Sequence, residues 1–351
     1  MMGLQKFDWL WQPVAVLPNT CMPSLVVLSR LFYRLILIPT MQTFIDPQAF
    51  AALKEADALP SPSGVRLSIM RMCRQEDVSL PDLVTQIQAD PVLAGRIVQI
   101  GNGASINKGR PIVAVSKDVL LMIGLQAVRQ LALAISLTSE RQPERCAGFD
   151  YQQFWSRSVA MACAGQALAE YYGEAPPAEL FASGLLANIG RIGLAASQPA
   201  QYASLLAGLA QPQALAMSEK TTFGFNHLEL AAAMMQDWEI PRFFCDAVLH
   251  HEAPLQSGLD DESRTLRLAQ MLFVAGTIAD YCVASAEQRP AALQALLDAG
   301  APINGEVDHV QALCDRVGRD WSEWGALVNI PVHSLPPTRE VMQQLQGSAP
   351  D

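Results

Sequence analysis

The sequence predicts an all-α protein built from several packed helical lobes. Apolar residues recur at helical spacing from Asp46 onward, no stretch alternates like a half-buried strand, and capping and stop signals punctuate the chain at helix-length intervals. With 351 residues, 50% of them hydrophobic and 17% charged, the chain can bury a substantial core.

Asp46-Pro47 opens a helix through Leu53, and Leu59-Pro60-Ser61-Pro62-Ser63 is a turn or linker before a helix over 65–72. Ser79-Leu80-Pro81-Asp82 caps the next, with Leu83, Val84 and Ile87 on its apolar face. Asp90-Pro91 starts another, with Val92, Leu93, Ile97 and Ile100 inward, and Gly101-Asn102-Gly103 stops it, since glycine and asparagine adopt left-handed geometry cheaply. Ser116 begins a helix interrupted at Gly124 and resumed through Ile135; polar residues from Ser139 to Asp150 then connect to a second unit. There one helix carries Phe154, Trp155, Val159 and Leu168 to a stop at Gly173, and the next is expected to run unbroken from Pro177 through Ile192. Helices follow around 202–209, 214–223 and 227–238, and Ile240-Pro241 starts one reaching His250. Beyond Asp260, positions Leu266 to Ile278 define a long helix, shorter ones end near Val328, and the tail from Pro331 is expected to be mobile. The expected organisation is an extension at 1–45, a helical lobe at 46–145, a core at 146–255, a C-terminal helical segment at 256–335 and a mobile tail at 336–351.

A net charge of −10 and a pI near 5.0 argue against a dedicated nucleic-acid binder, which needs clustered Lys and Arg. The seven cysteines are scattered singly without metal-site or disulfide spacing; they read as reduced thiols, with Cys163 and Cys245 acting as small buried hydrophobes. Leu25 to Ile38 is apolar but short, and each mid-helix arginine costs roughly 2.5–3.5 kcal/mol on insertion, so stable membrane insertion is not expected. It reads either as an amphipathic helix or as sequence translated from upstream of the true start; the expectation is the second, with Met41 as initiator and the protein in the cytoplasm.

The chemistry should lie in the second unit. Its order of motifs is Phe154-Trp155-Ser156-Arg157, Leu185-Leu186-Ala187-Asn188-Ile189-Gly190, Glu219 with Gly224 and His227, Trp238-Glu239-Ile240-Pro241 and His250-His251-Glu252. With Ala89-Asp90-Pro91 and Ile123-Gly124-Leu125 in the first lobe, this series resembles the HDOD family over roughly residues 46–255. The resemblance implies an HD-like helical bundle with an N-terminal helical lobe, related to HD and HD-GYP phosphohydrolases. In that wider group histidines and aspartates hold metal ions that convert water to hydroxide. By the resemblance, the first histidine and the His-Asp pair of those enzymes fall at Arg157, Ala187 and Asn188. Arginine brings a permanent positive charge, alanine no ligand atom, and asparagine no anionic oxygen. Arg157 is expected to reach Asn188 or a nearby carboxylate instead. His227, His250 and His251 stand where the related enzymes place later histidines; they read either as residual ligands or as ordinary residues at helix ends, and the second reading is adopted here.

Gly101-Asn102-Gly103 with Lys108, Gly109 and Arg110 lacks phosphate-loop spacing, and Ser183-Gly184 lacks a nucleophile elbow. The expected function is therefore a non-catalytic bacterial signalling module without metal or other cofactor, acting through an unidentified regulatory protein partner. Two alternatives stay open: a phosphohydrolase of nucleotides or cyclic dinucleotides using His227, His250 and His251, and a nucleotide or phosphate sensor using Arg157 and Asn188.

Overall fold

A computed structural model of the chain describes residues 44–347, except 57–58, 61–67, 70, 74–76, 103–111, 139–145, 210, 212–213, 239 and 301–306. The segment Leu25–Ile38, the Met41 start and half of the expected helix at 65–72 lie outside the described residues. The protein is all-α, and no strand occurs among the described residues.

The first lobe holds α1 (Pro47–Glu55), α2 (Leu80–Gln88), α3 (Pro91–Gly101), α4 (Lys117–Ile123) and α5 (Leu125–Thr138). Local chemistry sets their starts: Asp46 accepts from the Gln48 and Ala49 amides, Asp90 from Leu93, and Ser116 from Val119. Gly124, at φ 91°, makes the break between α4 and α5 that its position predicts. Leu83, Ile87, Leu93, Ile97 and Leu120 are fully buried, which matches their apolar spacing. Asn102 closes α3, and its amide pairs with both the N–H and the carbonyl of Ile112 at 2.7 Å. Lys108, Gly109 and Arg110 lie outside the described residues.

The second unit is organised on α6 (Tyr151–Tyr172), capped by Asp150 and stopped at left-handed Gly173. It is followed by α7 (Pro177–Leu186), α8 (Ile189–Ser197), α9 (Pro199–Gly208), α10 (Leu215–Phe223), α11 (His227–Asp237) and α12 (Arg242–His250). Beyond them run α13 (Arg264–Val283), α14 (Arg289–Gly300), α15 (Val307–Val328) and α16 (Thr338–Gly347). Helices α7, α13 and α15 all pack on α6, which is why almost its entire middle is buried. The α6–α7 approach needs Gly184, where a Cβ would sit 2.6 Å from the Met161 carbonyl oxygen.

Two expectations are corrected. The helix from Pro177 does not continue to Ile192: Asn188 takes φ −109°, ψ 13°, and the chain turns there before α8 begins. Turning lets α8 press on α11 through Gly190, whose added Cβ would stand 2.0 Å from the His227 carbonyl oxygen. The tail after Pro331 is not loose either. It forms α16, with Val341 and Met342 buried and Thr338 held by Asp315 through its N–H (2.9 Å) and hydroxyl (2.8 Å). The apolar stripe of α16 makes this docking favourable, and its polar remainder hides the signal in the composition of the tail.

Among the described residues two stretches reach the length and apolarity of a membrane span, Pro177–Ser197 and Arg264–Val283, or three if the bent pair Lys117–Ile123 and Leu125–Ile135 is taken as one, and the most apolar windows of the first two are 83% and 67% buried inside the protein. Their apolar character is thus used largely by the core.

Candidate functional site

Of the candidate site residues singled out in the sequence, all but His250 lie at the junction of α6, α8, α11, α13 and the end of α12. Arg157 projects from α6 toward α13 and forms a two-pronged ion pair with Asp280: Nε donates to Oδ1 at 2.6 Å and Nη2 to Oδ2 at 3.1 Å. Nη2 also lies 3.5 Å from the Gly276 carbonyl oxygen. Burial works against the charge of Arg157, but Asp280, and then Glu252, outweigh it and hold the guanidinium above its ordinary pKa. Of the two partners expected for Arg157, the carboxylate is the one it takes. Asn188 instead meets Arg157 only across the Met161 sulfur, which is 3.8 Å from Asn188 Nδ2 and 4.0 Å from Arg157 Nη1. Ala187 is fully buried beside it and contributes packing.

His227 has a different environment from the ordinary helix-start residue the sequence suggested. A capping box between Asn226 and Glu229 fixes the first turn of α11 and turns His227 inward, leaving it 1% exposed. Its Nδ1 is 2.6 Å from Oε2 of Glu219, and its Nε2 is 3.1 Å from Oε1 of Glu252. The backbone N–H of His227 donates to the same Glu219 oxygen at 2.8 Å, and Tyr202 donates its hydroxyl to the other at 2.9 Å. Burial alone would lower the imidazole pKa; hydrogen bonds that the ring donates to Glu219 and Glu252, together with their charge, outweigh it and raise it to about 9. Glu252 is pushed the other way, to about 2: burial opposes this, but the His227 hydrogen bond and charge dominate. Burial and the Glu219 charge push the Tyr202 hydroxyl pKa well up, so it stays a donor.

His251 is 3% exposed, and its Nδ1 donates to the Val248 carbonyl oxygen at 2.7 Å, as expected for an imidazole at a helix end. Burial lowers its pKa, and the Val248 carbonyl oxygen, which can only accept, fixes a proton on Nδ1. His250 stays outside this cluster: half-buried, its pKa lowered by burial and partly restored by Asp246.

Asp280, Glu219 and Tyr202 are members of the site that sequence reasoning did not identify. Glu219 and Glu252 stood inside quoted motifs, yet nothing in their spacing signalled that both flank one histidine. Asp280 gave no signal, lying 123 residues from Arg157.

The donor set does not suit a divalent ion. A guanidinium stands in the pocket, both nitrogens of His227 are engaged by carboxylates, and among the described residues no three His, Cys, Asp or Glu side chains are grouped to hold a metal. The thiols offer no alternative chemistry: Cys73, Cys146, Cys163, Cys245, Cys282 and Cys314 are buried and free, and burial pushes the Cys163 and Cys314 pKa values far up.

Comparison with known proteins agrees with this architecture. The chain is similar to a candidate phosphohydrolase of known structure from Shewanella amazonensis SB2B, at 23% identity over 80% of this chain and 98% of that one, with a TM-score of 0.61. It is also similar to a candidate signal transduction protein from Marinobacter aquaeolei VT8 (19% identity, 81% of this chain and 62% of that one, TM-score 0.57). An HDOD domain protein from Geobacter sulfurreducens matches at 19% identity over 86% of this chain and 94% of that one, with a TM-score of 0.53. No curated protein matches the chain. A family model described as the HDOD domain matches residues 59–254, more than half of the sequence, and the chain accordingly belongs to the HDOD family.

Proposed function

We propose that this protein is a non-catalytic signalling module of the cytoplasm that works through contacts with a regulatory protein. The observation that carries the reading is the Arg157–Asp280 pair, a fixed cation with its own counter-ion at the position where the related enzymes bind metal. A dication there would face electrostatic repulsion from Arg157 and would have to compete with it for Asp280. Further support comes from His227, whose ring is committed to Glu219 and Glu252, and from the signalling role named for the Marinobacter relative. Six buried free thiols fit a reducing compartment. A phosphate sensor built on Arg157 is less well supported, because the fork that would grip phosphate already grips Asp280.

The test has two parts. Protein purified without added metal should hold only substoichiometric iron, manganese or zinc, and incubation with cyclic di-GMP or nucleotides plus Mn²⁺ or Mg²⁺ should release no product. Stoichiometric metal together with chelator-sensitive turnover would overturn the proposal.

A further inference from the structure

The segment that joins α15 to α16 is a strap fixed at three points to three different helices. The Pro331 carbonyl oxygen accepts from the Ser156 hydroxyl of α6 at 3.4 Å, one residue from Arg157. Thr338, 1% exposed, is held by Asp315 of α15 through its N–H and its hydroxyl. Two glycines let the strap lie close on α15: a Cβ on Gly318 would stand 3.0 Å from the Leu335 side chain, and one on Gly325 2.6 Å from that of Val332. The remaining point depends on a proton. Nη2 of Arg289, on α14, lies 3.0 Å from Nε2 of His333 and donates to the Ala284 carbonyl oxygen at 2.8 Å. A guanidinium has no acceptor, so His333 Nε2 must accept, and it accepts only while it carries no proton. Arg289 is 7% exposed, its Nε has no hydrogen-bond partner, and neither it nor His333 forms an ion pair among the described residues.

We infer that the strap is an acid-operated latch: protonation of His333 sets donor against donor and cation against cation at Arg289, and the strap lifts together with α16. Three helices face the ring. From α14 comes Arg289, from α15 the uncharged Trp321, whose ring stands edge-on at 5.3 Å, and from α13 the main chain of Cys282. Burial pushes the Cys282 thiol up to about 12, so it adds no charge. Carboxylates on the same helices are engaged elsewhere: Asp280 with Arg157, Asp298 with Gln294, Asp315 with Thr338 and Asp320 with Arg316. None of these four is left to stabilise an imidazolium at His333. Burial, and then the Arg289 charge, lower the pKa of His333 while the Cys282 main chain opposes them, which agrees with the geometry. The sign follows: docking is fully favoured above pH 6.5, the value of the freed imidazole, and weakens as pH falls through the lower value of the docked one.

The test is amide hydrogen exchange on the full-length chain at about pH 7.5 and about pH 5.5, corrected for the intrinsic effect of pH on exchange. Amides of α16 should lose protection severalfold at the lower pH, and by at most about tenfold, the ceiling that linkage sets for one imidazole over this window. Those of α6 should keep theirs, because this window lies above the range in which Glu252 titrates. His333→Gln keeps an acceptor for Arg289 but cannot titrate, and the exposed position spares the core; its α16 amides should be equally protected at both pH values. A second measurement needs no substitution. With five histidines in the chain, ring signals are few, and that of His333 should titrate with a midpoint below 6.5. Unchanged α16 protection in the native chain, an equal loss in His333→Gln, an equal loss in α6, or a His333 midpoint at or above 6.5 would overturn the inference.

Discussion

Raising the pH should destabilise this protein through one buried imidazole, and the size of the effect follows from its surroundings. His227 is 1% exposed and lies between Glu219 at 2.6 Å and Glu252 at 3.1 Å, with its pKa raised from 6.5 to about 9. Between those two values the folded protein retains a proton that the unfolded chain has released, so folding stability falls as pH rises. The contribution is complete below pH 6.5 and gone above about pH 9, and the interval corresponds to about 3 kcal/mol. The assay is urea unfolding from pH 6 to pH 10, run on the native chain and on His227→Gln, which keeps a donor but cannot titrate. Other groups titrate in both proteins, so the difference between the two curves isolates His227. That difference should shrink by about 3 kcal/mol across the window. Parallel curves would mean that His227 is not protonated between its carboxylates, and the electrostatic account of the site would fail.

Acid should act through the opposite partner: the contribution of Glu252 is present above pH 4.5 and lost as pH falls toward about 2, so Glu252→Gln should flatten the acid limb of the stability profile. Gly190→Ala should cost more than about 3 kcal/mol by thermal unfolding, because the new Cβ would meet the His227 carbonyl oxygen at 2.0 Å and neither helix backbone can yield. Tyr202→Phe should cost about 1–3 kcal/mol in urea unfolding, since it withdraws a donor from the buried Glu219 carboxyl while leaving the aromatic packing intact. Ending the chain after residue 330 should lower the midpoint of thermal unfolding by several degrees, reflecting about 3 kcal/mol or more from exposing what Val341 and Met342 cover; an unchanged midpoint would mean α16 is not docked in solution.

Much of the helical framework was legible because its causes are local. Asp46, Asp90, Ser116, Asp150 and Ser263 cap helices with their own side chains, and Gly124, Gly173 and Gly224 stop them at positive φ. Apolar spacing identified the buried faces of α2, α6 and α13 for the same reason. The two misread segments are those where tertiary contact overrides local pattern. Asn188 interrupts a run of good helix formers so that α8 can reach α11, and α16 holds its place through Asp315 and its apolar stripe.

From the chain alone came the helices, because capping and apolar spacing carry that information directly, and, through the family resemblance, the HD-like core and the expectation that Arg157, Ala187 and Asn188 stand where the related enzymes carry ligands. The pairing within the pocket was decided only in three dimensions. Glu219 and Glu252 stand 8 and 25 residues from the histidine they flank, and Asp280 lies on a helix beyond the matched family segment. Which charges neutralise one another depends on distance through a low-dielectric interior, and helix packing sets that distance while sequence separation does not.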